Sequence, residues 1–183
     1  MKATGIVRRI DDLGRVVIPK EIRRTLHIKN GDPLEIYTTE NGGVILKKYS
    51  ALKDLSDFAA QYTESLAKTS GNVMMITDRD SVVAVSGVSK REYIDKRISQ
   101  TLEQIMEERD TVITRNSIEN PIDILSEKEH DKFTAQIITP IVAHGDAIGT
   151  VLMLSSDSKA SFGDLETKLT QSAASIIGRQ LEQ

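Results

Sequence analysis

The sequence predicts an α+β chain in two parts: a β-β-α-β-β head over residues 1–50 and a body over residues 51–183 in which helices flank a sheet as an α/β/α sandwich. Three observations carry this. The first fifty residues are short β-favouring runs broken by Gly, Pro, Asn and Asp turns. From Ala51 onward, apolar residues at spacings of three and four form long stretches that bracket the remaining strands. Charge divides at the same place: residues 1–53 hold eleven Lys and Arg against six Asp and Glu, a net of +5, and residues 54–183 hold 13 against 21, a net of −8. The chain as a whole carries −3, so the partition, not the total, points to an anion-binding head on an acidic body.

In the head, Ile6 to Ile10 and Arg15 to Ile18 read as two strands around the turn Asp11-Asp12-Leu13-Gly14. Pro19 stops the second strand and suits a helix start, and Glu21 to Leu26 can make two turns with Ile22 and Leu26 on one face. Arg23 and Arg24 fall beside that stripe. Asn30-Gly31-Asp32-Pro33 turns the chain into Leu34 to Thr38, and Asn41-Gly42-Gly43 turns it again into Val44 to Leu46, a second hairpin. Fifty residues of this kind enclose too small a core without a disulfide, a metal or a partner, and with no Cys the expectation is a dimer.

In the body, Leu52, Leu55, Phe58, Ala59, Tyr62 and Leu66 predict an amphipathic linker helix over 51–69 that ends before Ser70-Gly71. Val73 to Ile76 and Val82 to Val85 flank the turn Asp78-Arg79-Asp80 as a hairpin. Ser99 caps a helix running to about Arg109, followed by a short strand at Thr111 to Ile113 and a polar loop. Phe133 to Val142 and Ala147 to Ser155 are strands around His144-Gly145-Asp146. The last helix, within 161–182, begins with Ser161 and Asp164 at capping-box spacing and runs Leu165, Leu169, Ala173, Ile176, Ile177, Leu181 along one stripe. That stripe, with Leu52, Leu55, Phe58 and Tyr62 of the linker helix, exceeds what one sheet face needs. Copies of these helices are expected to pair as a four-helix bundle, making a homotetramer as a dimer of dimers.

Composition excludes several classes. At 28% charged and 39% apolar residues the chain must fold. Its longest apolar runs, such as Ile148 to Leu154, fall far short of the ~20 residues a membrane span needs, and MKATGIVRRI lacks the apolar region of a signal peptide, so a cytoplasmic protein without a membrane partner is expected. The absence of Cys removes disulfides, thiolate metal sites and cysteine nucleophiles. His27, His130 and His144 are scattered and no metal site is expected; Asp78 and Asp80 read as turn chemistry around Arg79. No Walker loop, dinucleotide glycine fingerprint, serine elbow or metalloprotease helix occurs, so neither catalytic residues nor a cofactor are assigned and the chain is not expected to be an enzyme.

The runs Thr4-Gly5-Ile6-Val7-Arg8, Leu13-Gly14-Arg15-Val16-Val17-Ile18-Pro19, Ile22-Arg23-Arg24-Thr25-Leu26 and Gly31-Asp32-Pro33-Leu34-Glu35-Ile36 resemble the AbrB family of swapped-hairpin DNA-binding domains. That resemblance implies two chains exchanging hairpins into one β-barrel, with Arg8, Arg15, Arg23 and Arg24 as the principal contacts to double-stranded DNA and Lys2 and Arg9 as auxiliaries. The residues agree independently: Arg15 follows a turn glycine, Arg23 and Arg24 flank a face that must be buried, and guanidinium groups suit bidentate contact with phosphate or guanine. In the body, Thr139-Pro140-Ile141-Val142, Gly145-Asp146 and Ile148-Gly149-Thr150-Val151 resemble the late strand pair of a GAF domain. A GAF-like body implies a small-molecule effector, whose identity is not readable and whose pocket, from strand ends, would involve Ser86, Gly87, Phe133 and Ser155. Head and tail in this order and length resemble a family of transcription factors from endospore formers. The implied function is a regulator that activates some sporulation-stage promoters and represses others, in the forespore. The alternative is an antitoxin with a similar head, which would bind its own operator and wrap a toxin with a short pliable tail; a 130-residue foldable body speaks against it. A small-molecule-handling enzyme on the GAF-like half is a further alternative that lacks convergent catalytic groups.

Overall fold

The computed structural model describes residues 5–114, 121–127 and 133–182. They fall in two compact units, Met1–Tyr49 and Ser50–Gln183. Lys2 and His130 lie outside the described residues.

The smaller unit contains helix α1 (Lys20–Thr25) and an antiparallel hairpin of β1 (Leu34–Thr38) and β2 (Val44–Lys48), with Ile36 opposite Leu46. Pro19 precedes α1 at φ −58°, a value its ring imposes and the helix start accepts. Glu21 in the first turn and Arg23 and Arg24 in the last match the helix dipole. The expected first hairpin is realised only in part. Its turn forms, with the Gly14 N–H donating to the Asp11 carbonyl at 2.9 Å, but residues 6–10 and 15–18 make no ladder. The reason is physical: Val7, Ile10 and Val17 are 86%, 69% and 70% exposed, and an isolated two-stranded ribbon without a covering layer is marginal in water. Among the described residues of this unit only Pro19 is buried, so the unit has no core of its own.

The larger unit is a five-stranded antiparallel sheet between helices. Its strands are β3 (Val73–Asp78), β4 (Val82–Ser86), β5 (Val112–Thr114), β6 (Ala135–Ala143) and β7 (Asp146–Ser155), in the order β4-β3-β7-β6-β5. Side chains alternate along them. Met74, Ile76, Ala135, Ile137, Val151 and Met153 face α3 (Ser56–Ser70) and α6 (Asp164–Gln180), with Ala59, Ala173, Ala174 and Ile177 completing that layer. Met75, Ile138, Leu152 and Leu154 face the other way, under α4 (Lys90–Tyr93), α5 (Gln100–Glu108) and Ile124 and Leu125. The α/β/α sandwich expected from the sequence is the fold observed.

Local chemistry explains the boundaries. The linker helix is two pieces, α2 (Ala51–Asp54) and α3, because Leu55 leaves the helical region at ψ 19°. Leu52 of α2 is buried beside Gly149, where a Cβ would stand 2.5 Å from the Leu52 Cδ1 and 2.0 Å from the Thr77 carbonyl oxygen. Gly71 ends α3 in the left-handed region, the usual glycine terminus. Asp78 accepts the N–H groups of Asp80 and Ser81 at 2.8 and 2.6 Å, and Arg79 Nε donates to the Ala147 carbonyl at 2.7 Å, which is the turn chemistry expected. Ser99 caps α5, its Oγ accepting the Leu102 N–H at 3.1 Å.

One expected cap is displaced. The box assigned to Ser161 and Asp164 is not made; Gly163 is the N-cap of α6, and the Glu166 carboxylate accepts its N–H at 2.9 Å. The stripe assigned to oligomerisation also divides. Leu52, Ala173 and Ile177 are buried in this chain's own core and cannot form a seam between copies, whereas Leu165 and Ile176 are 76% and 43% exposed. Leu55, Phe58, Tyr62, Leu169 and Leu181 are half-buried, with Phe58 and Tyr62 stacked at 5.6 Å.

Candidate nucleic-acid interface

The head's arginines stand on three exposed elements: the 6–10 segment, the 11–15 turn and the last turn of α1. On the first, Arg8 and Arg9 are exposed, and Arg8 makes a long bond from Nη1 to the Val7 carbonyl at 3.4 Å.

The 11–15 turn is held by one carboxylate. Asp11 Oδ1 accepts the N–H groups of Leu13 at 3.0 Å and Arg15 at 2.8 Å, and Asp11 Oδ2 accepts Arg15 Nε at 2.7 Å. The Arg15 N–H first, and its guanidinium second, hold the Asp11 carboxyl below its usual range. Gly14 completes the turn at φ +74°, where a side chain would be strained.

On α1, Arg24 is exposed, while Arg23 is half-buried and donates from Nη1 to Asn30 Oδ1 at 2.5 Å. Its Nε is buried without a hydrogen-bond partner, an arrangement that costs free energy in a single chain. The end of α1 is tied to the hairpin: Ile28 N–H reaches back to the Arg23 carbonyl at 2.8 Å, and Lys48 Nζ donates to the His27 carbonyl at 3.1 Å while pairing with Asp32 at 3.4 Å. Lys47 lies over the Tyr37 ring at 4.7 Å. Those two lysines thus contact the hairpin, while the exposed cations of the unit include Lys20 and Lys29 beside Arg8, Arg9, Arg15 and Arg24. Sequence reasoning named the arginines but not Asp11 and Asn30 as the residues that hold Arg15 and Arg23; the only sequence signal was the four-residue spacing of Asp11 and Arg15.

The four pocket candidates lie at one end of the sheet, where Ser86 pairs with Met74 and Ser155 with Ala135. Phe133 is buried there against Tyr93, ring centroids 6.1 Å apart, and a Cβ on Gly87 would come within 3.1 Å of the Val73 Cα. A groove of about 370 Å³ lies beside α6, with Thr139, Pro140, Gln171, Ser175, Arg179 and Glu182 among its walls. Among the described residues no group of three or more His, Asp or Glu could hold a metal, and no helix is long and apolar enough to cross a membrane.

Comparison with known proteins places both halves. Residues 54–182 match the family model described as stage V sporulation protein T C-terminal, transcription factor, and residues 7–54 match that described as antidote-toxin recognition MazE, bacterial antitoxin. The chain is similar to stage V sporulation protein T of Bacillus subtilis (strain 168), 48% identical over 183 residues with 100% of both chains covered. A 49-residue stretch, 27% of this chain and 50% of the relative, is 63% identical to transition state regulatory protein AbrB of the same strain. The fold of the body is that of the GAF domain of PixJ from Thermosynechococcus elongatus, with a TM-score of 0.58 over 74% of this chain and 89% of that one at 15% identity. The AbrB-like and GAF-like resemblances read from the motifs are both met.

Proposed function

The chain belongs to the family of stage V sporulation protein T, transcription factors, and from that premise we propose that it acts on sporulation-stage promoters, activating some and repressing others, by seating the arginines of a two-chain head on duplex DNA. That it is a DNA-binding transcription factor and not an enzyme follows from the family. The match of residues 7–54 to an antitoxin model concerns the head alone, and a body of the transcription-factor type over 54–182 disfavours the toxin-neutralising alternative.

The observation that carries the contact surface is the presentation of Arg15, Arg23 and Arg24 on a turn and a short helix that are each fixed by backbone hydrogen bonds, within the basic part of an otherwise acidic chain. Arg8 is the fourth principal contact, and Lys2 and Arg9 are auxiliaries. Exchange of hairpins with a second chain would cover Val7, Ile10 and Val17 and give the 6–10 and 15–18 segments the ladder a single chain lacks. A second contact through Leu165 and Ile176, with Phe58, Tyr62 and Leu169, would join such dimers into a tetramer. A small-molecule effector is placed at Ser86, Gly87, Phe133 and Ser155, strand-end positions beside the Tyr93–Phe133 ring pair. We assign this work to the cytoplasm of the forespore.

Protection footprinting of genomic fragments tests the reading. The full chain is expected to protect discrete sites, and the Arg15→Ala and Arg23→Ala proteins to lose them; unchanged footprints would refute the arginine assignment.

A further inference from the structure

We propose that Asp11 is a positioning residue that makes Arg15 a reader of base edges rather than a phosphate clamp. The inference rests on the reading above that Arg15 contacts DNA.

An exposed ion pair four residues apart is ordinarily worth little, because two side chains must be immobilised for a screened attraction. Asp11 differs in that the turn has already fixed its carboxylate. Oδ1 accepts two backbone N–H groups, from Leu13 and Arg15. The backbone closes twice more, Asp11 N–H to the Arg15 carbonyl at 3.1 Å and Gly14 N–H to the Asp11 carbonyl at 2.9 Å. Oδ2 is therefore held in place, and Arg15 Nε meets it at 2.7 Å. Arg15 is then fixed at both ends, by its own backbone N–H and by Nε.

This changes what the guanidinium can do. Arginine offers an acceptor pair either its side edge, through Nε and one Nη, or its end, through both Nη nitrogens. With Nε engaged by Asp11, the end remains, and two parallel N–H donors fit O6 and N7 of guanine in the major groove. A carboxylate beside a DNA contact also repels phosphate, weakening the sequence-independent part of binding. A cost to general affinity paired with a fixed base-reading edge is a device for specificity, which is the difference between affinities for right and wrong sites.

The test uses the full chain and two duplexes, a footprinted promoter site and a random sequence, titrated across salt concentrations. Asp11→Asn keeps one oxygen for the turn and sets an amide where the acceptor for Nε stood. Promoter affinity is expected to fall about tenfold while random-duplex affinity rises, and the promoter salt slope to steepen by about 1.8, about 0.9 for the freed Arg15 of each of the two chains as it takes a phosphate. In the Arg15→Ala background, Asp11→Asn should leave the ratio of the two affinities unchanged. Arg15→Lys, which keeps the charge and the turn but not the fork, should lower the ratio and retain random binding. Matched melting temperatures show that each variant is folded. The proposal is overturned if Asp11→Asn tightens both duplexes equally, if it lowers the ratio equally without Arg15, or if Arg15→Lys keeps the wild-type ratio. Wild-type binding of both duplexes by Arg15→Ala would overturn the contact assignment along with it.

Discussion

Gln136 and Ile122 bind each other as two strand residues do: the Gln136 Nε2 donates to the Ile122 carbonyl at 2.8 Å, and its Oε1 accepts the Ile122 N–H at 2.8 Å. The same oxygen accepts the Thr114 hydroxyl at 3.1 Å. A fully buried side chain of β6 thereby anchors the 121–127 segment, which delivers Ile124 and Leu125 to the core beneath α5. Replacing Gln136 with Leu leaves both backbone groups of half-buried Ile122 without their partner. The expected loss is about 2–4 kcal/mol of body stability, from about 1–3 kcal/mol for each orphaned group less relaxation. A denaturant midpoint, with amide exchange at Ile122, measures it.

Gly178 of α6 faces β6 so closely that a Cβ would stand 2.3 Å from the Val142 carbonyl oxygen. Gly→Ala within an exposed helix would stabilise by about 1 kcal/mol through propensity. Here the clash is with backbone and cannot be relieved by a rotamer, so an overpacking cost of about 1–3 kcal/mol or more wins. Gly178→Ala is expected to lower the melting temperature of the full chain; a rise would show that α6 does not approach β6 this closely.

The start of α6 should respond to acid. The N–H of Gly163 holds the Glu166 carboxyl below its usual range, with the Glu166 N–H adding to the effect. A depressed folded pKa contributes stability above the unfolded value and loses it as pH falls through the folded value. Melting of the wild type from about pH 7 to about pH 3 should therefore fall more steeply than that of Glu166→Gln, which can still accept the bond but does not titrate. Parallel curves would contradict the assignment.

Assembly should follow the two exposed apolar sets. The full chain is expected to scatter light as a tetramer, and Leu165→Glu with Ile176→Glu as a dimer whose head contacts persist. Residues 1–53 alone should melt at a temperature that rises with concentration, as a dimer without a folded monomer must. A monomeric head with a concentration-independent transition would exclude hairpin exchange.

Much of this architecture was legible in the sequence, for reasons that differ by element. The apolar spacing of α3 and α5 and the near-continuous apolar runs of β3, β6 and β7 report burial against the same chain, and so does the α6 stripe except at Leu165 and Ile176, so the elements were placed correctly. The 6–18 hairpin has equal strand character, yet one chain supplies nothing to cover it, and a strand's propensity does not say whose residues it will meet. Gly163 was missed as a cap because glycine carries no side-chain signal, and the partner of its N–H, Glu166, lies past the spacing assigned to Ser161 and Asp164. Gln136, flanked by apolar residues in a strand, gives no sign that a backbone segment 14 residues earlier will occupy its amide. In the candidate interface the arginines were legible as charges; Asp11 was legible only as a turn residue, because its grip on Arg15 exists once the turn has closed.

The salt dependence of promoter binding counts the phosphates that the two heads neutralise. If Arg8, Arg15, Arg23 and Arg24 of two chains meet one duplex, up to eight contacts form, and a majority with phosphate gives log K against log salt a slope of roughly −5 to −7. Measured for the full chain and for Arg23→Ala with Arg24→Ala, the slope should fall in that range and then flatten markedly, since two chains each lose two cations. A slope near zero, or one that the double substitution leaves unchanged, would contradict the account.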